Sequence, residues 1–283
     1  AATGDVQIAG EHVAYAIRHV HALSGKKIQI LGFSQGGMVP RWALRFWPDT
    51  RAMVDDVIGL DPSNHGTLSS EYCDTTKSCP AAFWQQRASA LFIAALNSFK
   101  ETFAGISYTS VYTRLDEVVT PNLDESGSSS LRPGEGQIAN VAAQSICPAD
   151  SSDHLAMGSY DAVGYALALD ALTHAGPADA SRVDPATVCT QPFQPGVNAA
   201  TFASDYAAYL GAVGAGAGGA KQLNAEPPLA CYVYADCPIA AQQVAGQKQR
   251  AAAKKRAAAK KRKAAAKRKK QRRRLRRSAA FTG

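Results

Sequence analysis

One serine stands in a pattern suited to nucleophilic chemistry. Ser34 lies in the run Gly32-Phe33-Ser34-Gln35-Gly36-Gly37, between an apolar stretch at 27–31 and a helix-like stretch at 38–46. A strand, a sharp turn and a helix in this order form a nucleophile elbow, which lifts the serine hydroxyl out of the sheet. The alternative is a chance Gly-Ser-Gly turn, and the flanking strand and helix patterns argue against it. We therefore predict that Ser34 is a nucleophile.

A serine hydroxyl needs a neighbouring base, and the chain offers six histidines. His154 is preferred because it follows the last predicted strand and lies downstream of a strand-end acid, which gives the chain order Ser, Asp, His. His65, in the polar turn run 61–67, is the second choice. The remaining histidines lie on or at the ends of predicted helices, where a surface role is more common: His12, His19, His21 and His174.

Asp116 is the predicted partner of the base, because it lies at the end of the predicted strand 107–113. Glu117 would point to the other side, and Asp153 adjoins the histidine itself; a plain surface acid is the alternative for Asp116. A carboxylate in this place orients the imidazole and stabilises the imidazolium that forms during attack. The backbone N–H of Gln35, the residue after the nucleophile, is the predicted oxyanion donor.

These residues need a scaffold of alternating strands and helices. Apolar spacing predicts helices at 8–23, 38–46 and 161–174, and strands at 27–31, 54–60, 107–113 and 138–146. This alternation predicts an α/β fold with a thin, mostly parallel sheet flanked by helices. The Pro/Ala/Gly-rich stretch 176–228 has no clear assignment.

The stretch 82–103 is apolar and aromatic and predicts one or two helices over the sheet. Two interpretations remain open for it. It forms a lid or acyl-chain wall, or its apolar side chains are ordinary core, as an apolar helical stripe usually is. Trp84 lies in this stretch and is a candidate substrate-pocket residue on the first interpretation.

The six cysteines fall into three neighbouring sets and show no CxxC spacing. An even count without metal-like spacing favours disulfides over zinc binding or redox catalysis, and so an oxidising compartment. The chain begins without a signal-peptide pattern and has no apolar run long enough to span a membrane. We expect a secreted protein whose signal was removed, or an incomplete chain. The sets are Cys73 with Cys79, Cys147 with Cys189, and Cys231 with Cys237.

Three segments resemble the family of Candida antarctica lipase B and its bacterial relatives, which have the α/β-hydrolase fold. They are the elbow 32–37, the segment 112–121 with its Tyr and Asp-Glu-Val-Val-Thr-Pro, and the Asp-His loop within 152–171. The resemblance runs from about residue 5 to about residue 235. It implies a lipase that uses neither metal nor organic cofactor.

Carried over residue by residue, the resemblance makes Ser34 the nucleophile, Asp116 the acid, His154 the base and Gln35 an oxyanion donor. It also implies a disulfide between Cys147 and Cys189 and one between Cys231 and Cys237. Phe33 stands where the best-known member has tryptophan, so it is a candidate pocket residue. The family's early strands and its oxyanion-hole threonine have no counterpart here, so we expect them to be missing from this chain.

Charge divides the sequence into two parts. The segment 248–277 holds 18 of the 31 Lys and Arg residues, and all 23 acidic residues precede it, so residues 1–247 carry a net −10 against +8 for the whole chain. We predict a catalytic domain over 1–245 and an Ala/Lys/Arg-rich tail over 246–283, disordered or helical on binding. The tail has two open interpretations: a solvated segment, or one that binds an anionic surface or polyanion. Without interleaved aromatics it predicts no specific nucleic-acid binding.

The sequence thus predicts a secreted, monomeric triacylglycerol lipase or carboxylesterase that forms an acyl-enzyme on a lipid or other ester. A polyesterase, a thioesterase or an acyltransferase would share the same machinery. A binding protein of impaired activity, attached to anionic surfaces by its tail, is the alternative of a different class.

Overall fold

The computed structural model describes residues 2–237. The chain divides into two units, Ala1–Leu229 and Ala230–Gly283, and only residues 230–237 of the second are described. The predicted boundary between residues 245 and 246 and the whole basic tail lie outside the described residues.

The strands and helices alternate along the described chain. The strands are β1 (Ile28–Phe33), β2 (Val54–Leu60), β3 (Cys79–Pro80), β4 (Ser107–Tyr112), β5 (Gln137–Ala142) and β6 (Gln222–Leu223). The α-helices are α1 (Val6–Ser24), α2 (Gln35–Phe46), α3 (Tyr72–Thr76), α4 (Ala81–Gln85), α5 (Leu91–Asn97), α6 (Ala143–Ile146), α7 (His154–Met157), α8 (Ala162–Thr173), α9 (Pro185–Val188) and α10 (Phe202–Gly218). Short 3₁₀ helices span Pro48–Met53, Leu68–Ser70, Ala180–Arg182 and, in the second unit, Cys231–Val233.

Four strands form a parallel sheet in the order β1-β2-β4-β5. Because all four run the same way, their carboxyl ends lie at one edge of the sheet, where sites of α/β proteins are usually built. The segments that leave this edge are the elbow after β1, the turn after β2, the segment after β4 and the loop that follows β5 and α6. The topology therefore gathers the predicted site segments at one edge.

Helix α1 has a capped start and a glycine end. The Asp5 carboxylate accepts the Gln7 backbone N–H at 2.9 Å, and Gly25 ends the helix in the left-handed region at φ 67°. The buried side recurs at helical spacing, at Val6, Gly10, Ala14 and Ile17. Gly10 lets α1 approach α2 closely, because a Cβ there would overlap the Trp42 indole.

Helix α8 covers the sheet on the side where Ile58, Val111 and Val141 project. Its Val163, Leu167, Ala168 and Ala171 are buried in the same cluster, and Asp161 caps its first turn by accepting the Gly164 N–H. Helix α2 packs against β1 and β2. The predicted α/β fold with a thin parallel sheet is confirmed.

One local prediction is corrected, and one unassigned stretch gains a helix. The strand predicted at 138–146 ends at Ala142, and the last residues form α6 instead. The stretch 176–228, which had no assignment, contains the long helix α10, none of whose residues is buried. An Ala/Gly-rich helix without a buried stripe carries no periodic signal, which is why the pattern missed it.

All three cysteine sets form disulfides: Cys73–Cys79, Cys147–Cys189 and, in the second unit, Cys231–Cys237. Among residues 2–237, no helix combines the length and apolar character needed to cross a bilayer.

Candidate active site

Ser34 stands at a strained turn between β1 and α2. Its backbone has φ 54° and ψ −126°, in the region that residues with a Cβ rarely adopt. The Ser34 N–H donates to the Leu60 carbonyl at 2.8 Å, and the Ser34 carbonyl accepts the Gly37 N–H at 3.0 Å. These bonds tie the turn to the end of β2 and to the first turn of α2, so the strained conformation is held from both sides.

The glycines of the elbow differ in what they permit. A Cβ on Gly32 would overlap the Gly36 backbone, and a Cβ on Gly37 would come within 3.0 Å of the Gly59 Cα and the Pro62 side chain. Gly36 has no atom within 4 Å of the same position. Close backbone approach therefore requires glycine at 32 and 37, while position 36 has space for a side chain.

His154 begins α7 and lies against Ser34. Its Nε2 is 2.9 Å from the Ser34 Oγ, and its Nδ1 is 2.9 Å from the Asp116 Oδ2. Asp153 caps α7 through the Ala156 N–H, and the His154 backbone N–H donates to Glu117. The His154 side chain is 3% exposed, and its two ring nitrogens face protein groups rather than solvent.

Asp116 is held by donors on both oxygens. Its Oδ1 accepts the backbone N–H groups of Val118 at 2.9 Å and Val119 at 2.7 Å. Its Oδ2 accepts the Asn122 amide at 3.3 Å as well as the His154 ring nitrogen. Four donors thus converge on one buried carboxylate, and they fix its position beside His154 and so the orientation of the imidazole.

The segment after β4 is joined to the histidine loop. Thr113 Oγ donates to the Ser152 carbonyl at 2.7 Å, and the Gln144 amide donates to Thr113 Oγ at 2.8 Å. These bonds connect the end of β4, helix α6 and the loop before His154. They set the spacing between the strand-end acid and the histidine.

A second carboxyl, Asp61, was not singled out from the sequence. It follows β2 directly, is fully buried, and places its Oδ2 3.9 Å from the His154 Nδ1. Burial, and then the Asp116 charge, hold the pKa of Asp61 well above its ordinary value. Its position at a strand end beside the site is the signal that could have found it.

Asp61, Asp116 and His154 place one potential ligand atom each within 4.8 Å of the others, which is also compatible with a metal ion. A cation there would need the His154 Nδ1 lone pair, but the 2.9 Å contact of Nδ1 with Asp116 places a proton between those two atoms. The donor set therefore suits a hydrogen-bonded acid and base better than a metal centre.

Gln35 is the first residue of α2, so its backbone N–H has no acceptor within the helix and faces the start of the helix beside Ser34. Phe33 precedes Ser34, and its ring centroid lies 4.8 Å from that of His154. Gly158 leaves room for this ring, because a Cβ there would overlap it. Phe33 is thus brought beside the site and packs on the imidazole.

Trp84, the other predicted pocket residue, lies elsewhere. It is 2% exposed, packs with the Cys73–Cys79 disulfide, and donates its indole N–H to the Leu223 carbonyl at 3.0 Å. The pocket assignment of Trp84 is corrected, because a buried indole with its polar atom satisfied has no surface for a substrate. Most apolar side chains of the predicted lid stretch are likewise core: Phe92, Ile93 and Leu96 are buried.

His65, the second-choice base, is engaged in another cluster. Its Nε2 lies 2.9 Å from the Glu101 Oε1, and Glu101 also lies 3.7 Å from the buried Arg41 guanidinium. Although burial opposes it, the hydrogen bond from His65 and the Arg41 charge lower the pKa of Glu101. Arg41 further donates to Asn64 and Asn97, so this cluster fastens the turn after β2 to α5.

Asp161, which precedes α8, is hydrogen-bonded to the loop before His154. Burial raises its pKa to about 6, although the hydrogen bond from Ser152 lowers it. Ser152 Oγ donates to Asp161 at 2.6 Å, so the carboxyl anchors the loop two residues before His154.

Known proteins with a similar sequence or structure carry the name lipase. A segment of 144 residues is 31% identical to lipase B of Pseudozyma antarctica. This segment makes up 50% of this chain and 42% of that protein. The crystal structure of Aspergillus fumigatus lipase B matches 82% of this chain with a TM-score of 0.74 and 32% identity. The chain is similar to lipase B proteins in both sequence and structure. It has the α/β-hydrolase fold, as the sequence predicts.

This lipase B-like chain spans only part of each relative. It covers 42% of the Pseudozyma antarctica protein and 57% of the Aspergillus fumigatus chain. No family model matches the chain.

Proposed function

We propose that this lipase B-like chain is a serine ester hydrolase of the lipase or carboxylesterase type, with Ser34 as nucleophile, His154 as base and Asp116 as acid. The observation that carries the proposal is the 2.9 Å contact between the Ser34 Oγ and the His154 Nε2, with Ser34 at a strained strand-to-helix turn. A serine hydrogen-bonded to a histidine, which is oriented by a carboxylate, is the arrangement that activates a hydroxyl for acyl transfer.

In the acylation step, the Ser34 Oγ attacks the ester carbonyl carbon while the His154 Nε2 takes the hydroxyl proton. Asp116 keeps the other ring nitrogen protonated and stabilises the imidazolium. The developing oxyanion lies near the first turn of α2, where the Gln35 N–H and the helix dipole favour negative charge. His154 then gives the proton to the leaving alcohol as the tetrahedral intermediate collapses to an acyl-enzyme.

In the second step, water attacks the acyl-enzyme. His154 takes a proton from the water, the tetrahedral intermediate collapses, and Ser34 regains its proton from the imidazolium as the carboxylic acid leaves. Phe33 packs against the imidazole. The chain's own residues therefore supply a base, an acid and one oxyanion donor for both steps.

The substrate class rests on the relatives. Two proteins named lipase B support a lipid or another carboxylic ester as substrate. The three disulfides support a secreted protein in an oxidising environment. A monomer, and a basic tail that attaches the protein to an anionic surface, stay predictions from the sequence.

The test uses the full 283-residue chain. Hydrolysis of p-nitrophenyl butyrate and labelling by a fluorophosphonate are measured for the wild type, for Ser34→Ala, and for Ser151→Ala as a control. Ser151 is an exposed serine of the histidine loop. The proposal expects both signals to disappear in Ser34→Ala and to persist in Ser151→Ala. Labelling that persists in Ser34→Ala would contradict it.

The same assay separates the alternatives. Product partitioning in the presence of an added alcohol distinguishes a hydrolase from an acyltransferase, since both share the acyl-enzyme. Polyester film and thioester substrates test the polyesterase and thioesterase alternatives. A folded wild-type chain with no labelling of Ser34 would favour the binding protein instead.

A further inference from the structure

The ends of two neighbouring strands each bring an aspartate to the same histidine. Asp61 follows β2, Asp116 comes after β4, and these strands are hydrogen-bonded neighbours in the sheet. We propose that Asp61 is a positioning residue that donates an O–H hydrogen bond to Asp116 and so keeps a single negative charge behind His154. The catalytic part of this inference rests on the proposed function, whereas the hydrogen bond itself does not.

The contacts of Asp61 leave one oxygen without a donor. Its Oδ1 accepts the Thr113 backbone N–H at 2.8 Å. Its Oδ2 is buried, and no group among residues 2–237 donates a hydrogen bond to it. That oxygen lies 3.9 Å from the His154 Nδ1, and an Asp61 oxygen lies within 4.8 Å of an Asp116 oxygen. Two buried carboxylates this close repel each other when both are ionised. A proton on either Asp61 or Asp116 removes the repulsion.

The surrounding donors decide which of the two carries the proton. Asp116 accepts two backbone N–H groups, the Asn122 amide and the His154 ring N–H, all of which favour its ionised form. Asp61 accepts only the Thr113 N–H, and burial together with the Asp116 charge raises its pKa. The proton therefore belongs on Asp61 and the charge on Asp116.

One further charge near the pair acts in the same direction. Asp161, at the start of α8, also raises the pKa of Asp61. Glu117 lies beside the His154 backbone N–H. Among the titratable groups with described contacts to this centre, the only one that can become positive is His154, and its imidazolium forms only during the reaction. The resting site thus favours a neutral Asp61.

A neutral carboxylic acid in this place has a definite effect. As a donor to Asp116, it helps to hold that carboxylate in place and withdraws part of its negative charge from His154. If Asp61 were ionised, two charges would face His154 and hold it as an imidazolium, which cannot accept the Ser34 proton. Asp61 therefore acts through Asp116 and does not touch the substrate.

The backbone supports a matched pair of variants. Asp61 has φ 41°, a conformation that Asp and Asn tolerate best among residues with a Cβ. In Asp61→Asn, the amide oxygen can accept from Thr113 and the amide N–H can donate to Asp116, so the variant reproduces the neutral acid. Asp61→Ala removes the donor to Asp116 together with the acceptor of the Thr113 N–H.

The first experiment measures kcat, KM and the pH dependence of ester hydrolysis for the full chain and both variants. Asp61→Asn is expected to keep kcat within about threefold of the wild type, because it reproduces the hydrogen bond to Asp116. The acid limb of its pH–rate profile is expected to stay where it is in the wild type. Asp61→Ala is expected to lower kcat roughly tenfold or more at unchanged KM and to move the acid limb to higher pH. An Ala variant with wild-type kcat and pH profile, or an Asn variant whose acid limb moves to lower pH, would overturn the proposal.

The second experiment does not depend on activity or on the stability of the Ala variant. Infrared absorption spectra are recorded at pH 8 for the wild type, Asp161→Asn and Asp61→Asn. We expect the carbonyl band of a protonated carboxyl in the wild type and in Asp161→Asn, and no such band in Asp61→Asn. Absence of this band from the wild type, or its persistence in Asp61→Asn, would refute a protonated Asp61. If the wild type lacks Ser34-dependent hydrolysis, the proposed function fails, and the infrared band still decides the hydrogen bond.

Discussion

The Nδ1 of His154 and the Oδ2 of Asp116 lie 2.9 Å apart, and both side chains are buried. A hydrogen bond in this position does more than attract the two groups. It fixes which ring nitrogen carries the proton, and therefore leaves Nε2 free to accept the Ser34 proton.

The first prediction concerns Asp116→Asn, which removes the acceptor that fixes the tautomer of His154. The amide N–H would face the His154 Nδ1 and favour the tautomer protonated at Nε2, which cannot act as the base. We expect kcat for p-nitrophenyl butyrate to fall by about 10⁴, as for the same change in other triads, with little change in KM.

The control for Asp116→Asn is Asp153→Asn, next to His154 in sequence. Asn caps a helix as well as Asp does, so this variant is expected to keep near-wild-type kcat. If Asp116→Asn kept more than a tenth of the wild-type kcat, Asp116 would not be the orienting acid.

The second prediction distinguishes two glycines of the elbow. Gly32→Ala would drive a Cβ into the Gly36 backbone, and Gly36→Ala would meet no atom within 4 Å. We expect Gly32→Ala to displace Ser34 and lower the rate of fluorophosphonate labelling at least 100-fold, because overpacking at a fixed turn shifts the backbone. Gly36→Ala is expected to label within about threefold of the wild type.

Equal labelling of the two glycine variants would show that the elbow relaxes around either side chain. Thermal unfolding of both variants separates this displacement from general loss of structure. A Gly32→Ala chain that is folded and unlabelled is the expected result.

Much of the fold and the central contact of the site follow from local signals. The strand before Ser34 and the helix after it predict the elbow, and acids or histidines that follow parallel strands must meet at one edge of the sheet. The contact of Ser34 with His154 joins residues 120 positions apart, and chain order together with strand ends was enough to predict it.

The parts that could not be predicted depend on packing between distant segments. In the sequence, Asp61 is simply one residue of a polar turn. Only the pairing of β2 with β4 places it beside Asp116. The sequence suggests Trp84 as an aromatic residue of the substrate pocket. Only the pairing of β3 with β6 brings Leu223 over its indole. Helix α10 has no buried residue, so nothing in its sequence marks a face.

The third prediction compares two disulfides. Cys147–Cys189 spans 42 residues, whereas Cys73–Cys79 spans 6. In the chain-entropy account, the longer loop restricts the unfolded chain more, which corresponds to about 4 kcal/mol against about 2 kcal/mol. We expect the double variant Cys147→Ala/Cys189→Ala to lose more free energy of unfolding than Cys73→Ala/Cys79→Ala.

The measurement for the disulfide pair is urea unfolding at fixed pH, with the slope compared between variants. The Cys73–Cys79 sulfurs are fully buried beside Trp84, so their loss also removes packing. If the short-loop variant were the less stable one, packing around Trp84 would outweigh the loop entropy.

The last prediction concerns pH and the buried Asp161. Its pKa rises to about 6 in the folded protein, against an ordinary value of 3.8, chiefly because of burial. Between these two values the folded state binds more protons than the unfolded state. The free energy of unfolding contributed by Asp161 therefore falls as pH rises through this window and stays low above it.

Asp161→Asn removes this loss. An Asn oxygen can still accept the Gly164 N–H, and its amide can donate to Ser152, so the cap of α8 and the loop anchor persist. At pH 8 we expect the variant to be more stable than the wild type by about 1 to 3 kcal/mol, and the gain to shrink at pH 5. Urea unfolding at both values measures it.

Asp184→Asn is the control, because Asp184 also caps a helix but is exposed. Hydrogen bonds from Thr187 and from the Ala186 N–H lower its pKa, so its contribution to stability is present at neutral pH and lost as pH falls. Its replacement is expected to leave stability at pH 8 unchanged or slightly reduced. A gain of similar size in both variants would trace the effect to the removal of negative charge in general, and a loss in Asp161→Asn would mean that the ionised carboxylate is stabilised where it lies.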